Sequence, residues 1–189
     1  MVRNNTFKNI RKDSLGAGGQ GIYLFNSAFE VFNNQLDRVE EGIRVGGTSK
    51  VYGNVLTQVG LGIEVSPNPK DYVAVFENSI QCLKTGLTLY NPSSALNIDI
   101  YKNDITLDNQ GKNIDENGNS TVTSGMWVDG FFDQINDPQY ATASIHDNQI
   151  SILNGNYGMY LNVSKELLYQ NNTIDTKVAD PQGTTGISA

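Results

Sequence analysis

The chain has 189 residues, a net charge of −7 and one cysteine, Cys82. This length is enough for one continuous hydrophobic core and leaves no room for a second domain. The acidic charge disfavours a nucleic-acid partner, the lack of a long apolar run argues against a membrane-spanning helix, and a lone cysteine excludes an intrachain disulfide.

Two short motifs alternate along the whole chain. The first, Asn-x-apolar, begins at Asn5, Asn34, Asn54, Asn78, Asn103, Asn148 and Asn172. The second, Gly-apolar-x-apolar, begins at Gly21, Gly42, Gly62, Gly86, Gly125 and Gly158, with a truncated copy at Gly186. Seven copies of a two-part motif indicate a repeat protein.

The spacing of the motifs predicts the type of repeat. Steps from one Asn to the next are 29, 20, 24, 25, 45 and 24 residues, and the short apolar segments alternate with a period of two, as strands do. Three short strands per repeat, separated by polar and Gly-rich turns, predict one coil of a parallel β-helix. A leucine-rich repeat is disfavoured because no helical periodicity follows the Asn, and the six-residue period of a hexapeptide β-helix is absent.

This repeat resembles that of the pectin-lyase-like right-handed parallel β-helix proteins, and the resemblance covers essentially the whole chain. It implies an all-β solenoid of about seven coils in one domain, residues 1–189. In such a fold the Asn side chains of successive coils stack and form hydrogen bonds along a ladder. We expect each glycine of the second motif to supply the bend that leads into a strand.

The two ends of the chain fall within predicted strands, and neither has a helix or polar segment to close the stack. Open ends expose unpaired strand edges and core residues. We therefore expect this sequence to be part of a longer β-helix, or to be covered by neighbouring chains.

Two insertions interrupt the repeat on either side of the fifth Gly strand, at residues 108–124 and 130–140. Long loops on a rigid scaffold often carry function. Within the first, Asp115-Glu116-Asn117-Gly118-Asn119 is similar to part of a calcium-binding loop, but ordinary Asx-rich turns also produce this pattern. No cofactor or metal site is predicted, and Ca²⁺ stays an open alternative.

Strand alternation predicts which residues of each Gly strand face outward. The third positions are Tyr23, Arg44, Glu64, Thr88, Trp127, Tyr160 and Ser188, and the fifth positions are Phe25, Gly46, Ser66, Tyr90, Asp129 and Asn162. Aromatic rings beside charged groups are typical of a sugar-binding groove, which predicts substrate contacts from Tyr23, Tyr90, Trp127 and Tyr160. The alternative is that Trp127 and Tyr160 pack beneath the inserted loops.

The candidate catalytic residues lie on or beside the same face. Asp129, Asp133 and Glu64 are candidate acids or bases, because two carboxyl groups suffice for glycoside hydrolysis. Glu64 and Asp129 are predicted two coils apart, about 9.6 Å along the stack, at the upper end of the separation in inverting enzymes. A lyase would instead use Arg44 as its base.

A second outward column lies two residues before each Asn and consists of Phe32, Tyr52, Phe76, Tyr101, His146 and Gln170. Four exposed aromatic residues in a row would form an apolar patch that needs covering. We expect another chain, in a homotrimer, or a further segment of this chain to cover Phe32, Tyr52, Phe76 and Tyr101. A stacking platform for a glycan is the alternative, and no catalytic role is assigned to His146.

Catalytic motifs of the family are mostly missing. The Gly-His-Gly and Arg-Ile-Lys segments of the polygalacturonase-like branch do not occur, and Trp127-Val128-Asp129-Gly130 is similar to the Trp-Ile-Asp-His of pectate lyases with Gly in place of His. The resemblance implies an extracellular or virion protein that binds a polysaccharide, with or without cleaving it, such as a tailspike depolymerase or a polysaccharide lyase or hydrolase. A non-catalytic structural or adhesive stalk is the alternative.

Overall fold

The computed structural model describes residues 1–12, 18–67, 71–90, 97–110, 122–131, 142–163, 167–177 and 185–188. Regular structure within these ranges is entirely β. Strands of the first four coils are β1 (Val2–Arg3), β2 (Thr6–Lys8), β3 (Gln20–Leu24), β4 (Phe29–Phe32), β5 (Gln35–Asp37), β6 (Glu41–Val45), β7 (Ser49–Tyr52), β8 (Val55–Val65), β9 (Tyr72–Phe76) and β10 (Ser79–Tyr90). Those of the last three are β11 (Asn97–Tyr101), β12 (Asp104–Asp108), β13 (Ser124–Phe131), β14 (Thr142–His146), β15 (Gln149–Asn154), β16 (Tyr157–Val163), β17 (Leu167–Gln170), β18 (Thr173–Thr176) and β19 (Thr185–Ser188).

Every named strand pairs in parallel with its counterpart in an adjacent coil. The first sheet runs β1-β4-β7-β9-β11-β14-β17. A second row runs β2-β5-β8-β10-β12-β15-β18, and a third runs β3-β6-β8-β10-β13-β16-β19. This is a parallel β-helix of seven coils, which confirms the predicted fold class.

The expectation of three separate strands per coil is wrong for the third and fourth coils. There the second and third strands merge into the long strands β8 and β10, so the second and third rows form one continuous sheet. The bend between the two rows is made within the strands, where the pairing of β10 with β8 shifts register between Ile80 and Cys82 and again between Cys82 and Thr85. Such irregularities turn a strand without ending it.

Alternating side chains fill the interior of the coil. The second and fourth positions of the Gly strands, such as Ile43 and Val45 in β6 and Leu87 and Leu89 in β10, are fully buried. Cys82 also lies in this core, where desolvation raises the pKa of its thiol to about 12. The thiol is therefore protonated at neutral pH and unreactive.

The seven repeated asparagines form the predicted hydrogen-bonded ladder. Asn54 Nδ2 donates to Asn78 Oδ1 at 2.9 Å and to the carbonyl oxygens of Val31 and Tyr52 at 3.0 and 3.1 Å. Asn78 Oδ1 also accepts the backbone N–H of Asn54 at 3.1 Å. The same bonds recur from Asn34 to Asn148, so the buried amides leave few polar groups without a partner.

The glycine column has a different physical basis from the one we expected. Gly42 has no positive φ and lies inside β6, but a Cβ at this position would be 2.6 Å from both the carbonyl oxygen of Gly62 and Cδ2 of Leu56. Glycine is needed there because the next coil and a core leucine approach too closely for any side chain. The expectation of a bend is wrong for this column.

Within the ranges described above there is no helix, and hence none long and apolar enough to cross a membrane.

Candidate functional site

The predicted outward residues of the third row lie in two columns that run across the coils. Adjacent Cα partners place Tyr23, Arg44, Glu64, Thr88, Trp127 and Tyr160 one above another. The neighbouring column places Tyr90 beside Asp129 and Asp129 beside Asn162. The strand register thus brings together the sequence-predicted residues that the structure describes, on a surface that we call the third-row face.

Arg44 is held between an acidic and an aromatic neighbour. Its Nε lies 2.7 Å from Glu64 Oε1, and its guanidinium carbon lies 5.6 Å from the ring centroid of Tyr23 and 5.8 Å from that of Phe25. Nε and Oε1 are both buried, and neither has a hydrogen-bond partner with acceptable geometry. The contact is therefore an ion pair held by proximity rather than a directed hydrogen bond.

Glu64 is a partly desolvated acid. Its side chain is only 13% exposed, and this burial raises the pKa of its carboxyl group, opposed by the charge of Arg44 and reinforced by that of Glu41. The net effect is a raised pKa, because desolvation disfavours the charged form more than the single ion pair favours it. A carboxyl group with a raised pKa keeps its proton to a higher pH than an ordinary glutamate, which suits a general acid.

The pKa of Tyr90 is affected by both predicted carboxylates. Its pKa is raised first by burial and then by the negative charges of Glu64 and Asp129, while Arg44 acts in the opposite direction. The ring is nevertheless 39% exposed. Tyr90 is therefore a neutral phenol on the surface between the two carboxyl groups, available as a hydrogen-bond donor.

Asp129 and Trp127 each have a partner on the sixth coil. Asn162 Nδ2 donates to Asp129 Oδ1 at 2.8 Å, which fixes the direction of the carboxylate. Trp127 stacks on Tyr160 with ring centroids 4.1 Å apart and planes inclined by 22°, and Tyr157 contacts Tyr160 edge-on at 5.5 Å. One ring face of Trp127 is thus covered by Tyr160, so this pair offers sugars less stacking surface than we predicted.

The separation of Glu64 and Asp129 is larger than the sequence suggested. The strand register places them two coils apart and also two residues apart along the strand direction. With about 4.8 Å per coil and about 3.3 Å per residue, their Cα atoms are about 12 Å apart. The predicted 9.6 Å omitted the offset along the strand, so both side chains must lean toward Tyr90 for the carboxyl groups to act on one bond.

Several predicted features lie outside the described residues. These are Asp133, the segment from Asp115 to Asn119 and most of both insertions, residues 111–121 and 132–140. The alternative in which inserted loops cover Trp127 and Tyr160 therefore stays a prediction. In the part of the chain that the structure describes, no group of three His, Cys, Asp or Glu side chains is arranged to hold a metal ion.

The aromatic column on the first sheet forms a stack. Phe32, Tyr52, Phe76 and Tyr101 follow one another with centroids 4.8–4.9 Å apart and planes within 4° of parallel. Their faces cover one another and all four rings are half-buried. The column therefore presents ring edges to the outside, and this arrangement disfavours a platform on which sugars stack face-on.

His146 extends this stack, as its place in the predicted column implied, and it also makes two carboxylate contacts that the sequence did not reveal. It lies 5.2 Å from Tyr101 with planes 2° apart, Nδ1 is 2.8 Å from Asp147 Oδ2, and Nε2 is 3.1 Å from Asp99 Oδ1. The hydrogen bond with Asp147 raises the pKa of His146 more than burial lowers it, and Asp99 adds to the increase. Each ring nitrogen faces a carboxylate acceptor, so the site favours the protonated ring, which can donate from both nitrogens.

Comparison with known proteins gives no relative: no protein-family model, no curated protein and no solved structure matches this chain. The class of protein is therefore defined by its fold and by the third-row face, without the help of a relative. The protein is a parallel β-helix with an Asn ladder that presents a row of aromatic and charged side chains along one outward face.

Proposed function

We propose that the third-row face binds a polysaccharide and hydrolyses it. The observation that carries the proposal is the cluster of Arg44, Glu64, Tyr90 and Asp129, in which a partly buried carboxyl group with a raised pKa shares one surface with a second, oriented carboxylate. Two carboxyl groups in different environments are the requirement for acid–base cleavage of a glycosidic bond. Aromatic residues on both sides of the cluster support sugar binding.

The roles follow from the two environments. Glu64, in its protonated form, gives its proton to the glycosidic oxygen as the bond to the anomeric carbon breaks. Asp129 takes a proton from the water molecule that attacks this carbon from the opposite side. Tyr90 donates a hydrogen bond to the sugar between them, and Tyr23 and the Trp127–Tyr160 pair contact the flanking residues of the glycan.

Arg44 is better suited to a supporting role than to that of a lyase base. A guanidinium group stays protonated in proteins, and this one is paired with Glu64 and packed against Tyr23 and Phe25. Its charge limits the increase in the pKa of Glu64, so that the carboxyl group can cycle between its two protonation states. The extracellular or virion location that suits such an activity belongs to the same proposal.

The test is a cleavage assay on each polysaccharide that the protein binds. Wild type is expected to release reducing ends without the ultraviolet absorbance of an unsaturated uronate. Glu64→Gln and Asp129→Asn are expected to lower the rate at least about 100-fold, whereas Asp104→Asn, an exposed carboxylate on β12, leaves it unchanged. An unsaturated product would replace hydrolysis by a lyase reaction, and equal rates in all variants would remove both residues from the chemistry.

A non-catalytic stalk is the second candidate. It is favoured by the aromatic stack, whose apolar ring edges run along the first sheet over four successive coils. In this proposal the edges of Phe32, Tyr52, Phe76 and Tyr101 pack against other copies in a homotrimer. Sedimentation of wild type and Tyr52→Glu tests it: a trimer that the substitution dissociates supports the stalk, and a wild-type monomer at high concentration contradicts it.

A further inference from the structure

We propose that a polar pocket at one corner of the β-helix is a terminal subsite, which binds one hydroxyl-bearing sugar residue of the same polysaccharide. This inference rests on the proposed function and extends it. The pocket has a volume of about 370 Å³ and is lined by Asn26, Ser27, Ala28, Gly47, Thr48 and Asp71. That volume is at the lower end of the range for small-molecule sites and suits a single small ligand.

Turns from three successive coils build the pocket. Asn26, Ser27 and Ala28 lie between β3 and β4, Gly47 and Thr48 lie between β6 and β7, and Asp71 immediately precedes β9. Backbone bonds join the turns, from Asn26 N–H to the Gly46 carbonyl at 3.2 Å and from Phe29 N–H to the Thr48 carbonyl at 2.9 Å. The first two turns are therefore joined directly by backbone bonds, and Asp71 is placed beside them by the strand β9 that follows it.

Two polar side chains of the pocket, those of Thr48 and Asp71, are oriented by a hydrogen bond between them. Thr48 Oγ1 accepts the backbone N–H of Tyr72 at 3.4 Å and donates to Asp71 Oδ1 at 3.0 Å, so the hydroxyl group orients the carboxylate. Asp71 lines the pocket with this oriented carboxylate, and a carboxylate has about four acceptor positions in all. An acceptor of this kind, next to the amide of Asn26 and the hydroxyl of Ser27, matches the neighbouring hydroxyl groups of a sugar.

The pocket directly continues the third-row face. Asn26 follows Phe25 in sequence and Gly47 follows Gly46, and the ring of Phe25 lies so close over Gly46 that a Cβ there would collide with it. Phe25 in turn packs against Tyr23 at 4.8 Å and beneath Arg44. A glycan that extends from Glu64 past Arg44 and Phe25 would therefore reach the pocket with its end residue.

The experiment compares affinity with chain length. Each polysaccharide retained on a glycan array is partially hydrolysed, and its oligosaccharides are fractionated by size and titrated by calorimetry. Asp71→Asn and Asn26→Gly are expected to weaken binding of the longest oligosaccharides about tenfold, as for the loss of one hydrogen bond to a charged group, and to leave the shortest unaffected. Asn26→Gly is chosen because residue 26 has φ 66°, which glycine adopts without strain.

The controls separate the subsite from the function on which it depends. Asp104→Asn should bind every oligosaccharide as wild type does, whereas Glu64→Gln should change binding at all lengths. If Asp71→Asn and Asn26→Gly bind long oligosaccharides as tightly as wild type, or weaken all lengths equally, the subsite is overturned while polysaccharide binding stands. If wild type retains no polysaccharide, the proposed function fails and the subsite with it.

Discussion

Arg44 and Glu64 are opposite partners on adjacent coils, with Nε and Oε1 only 2.7 Å apart. Burial raises the pKa of Glu64, and the positive charge of Arg44 opposes this larger effect without cancelling it. The pair therefore sets how readily the proposed acid gives up its proton. It also ties the cluster on the third-row face to the aromatic residues of the first coil, through Tyr23 and Phe25.

Replacing Arg44 by Met should raise the pKa of Glu64 further, because desolvation would then act without an opposing positive charge. An NMR titration of the side-chain carboxyl carbon of Glu64 measures this directly. Arg38→Met is the matched control, since Arg38 pairs with Asp37 on the surface at 2.7 Å and should leave Glu64 unaffected. An unchanged or lower pKa in Arg44→Met would show that the ion pair does not act on this carboxyl group.

The His146 cluster should make stability depend on pH. The folded state raises the pKa of His146, so it binds the proton more tightly than the unfolded chain does. The stabilisation is fully present below the ordinary histidine pKa of about 6.5 and is lost as the pH rises through the raised value. Urea unfolding of wild type and His146→Gln across this range should show their stability difference shrinking as the pH rises, and a constant difference would contradict this account.

Asn78 is expected to be one of the costliest residues to truncate. Its side chain donates at 2.9–3.0 Å to Val51 O, Phe76 O and Asn103 Oδ1, and accepts from Asn54. Asn78→Ala removes all of these hydrogen bonds and also the acceptor of the buried Asn54 backbone N–H, and it should lower the free energy of unfolding by about 3 kcal/mol. Asn97→Ala, at an exposed position of β11, should change it by less than about 0.5 kcal/mol, and similar losses in both variants would argue against the ladder.

Alanine in the glycine column should be harmful where a Cβ would meet atoms of the neighbouring coil. Gly42→Ala would place Cβ 2.6 Å from the Gly62 carbonyl oxygen and Leu56 Cδ2, whereas a Cβ at Gly186 has nothing within 4 Å. Overpacking of this kind costs about 3 kcal/mol, so chemical denaturation should show a large loss for Gly42→Ala and almost none for Gly186→Ala. Equal stability in both variants would mean that the coils are farther apart than the structure places them.

The repeat allowed the scaffold to be predicted, because the Asn and Gly motifs recur once per coil and each has one dominant physical cause. Strand alternation also placed the outward columns correctly, but it did not give side-chain exposure. Thr88 is only 7% exposed on the outward face, where it lies between the larger side chains of Glu64 and Trp127. The columns already placed Asn162 beside Asp129, but the contacts themselves, such as that of His146 Nε2 with Asp99 Oδ1, depend on side-chain directions, which the pattern of residues does not give.

The most direct test of the central claim is a glycan array with wild type, Tyr90→Ala and Leu168→Ala, each first shown to melt as wild type does. Tyr90 is 39% exposed on the third-row face, and Leu168 is 56% exposed on the first sheet. The account predicts that wild type and Leu168→Ala retain the same polysaccharide and that Tyr90→Ala loses it. Retention of no polysaccharide by wild type, or equal retention by Tyr90→Ala, would contradict it.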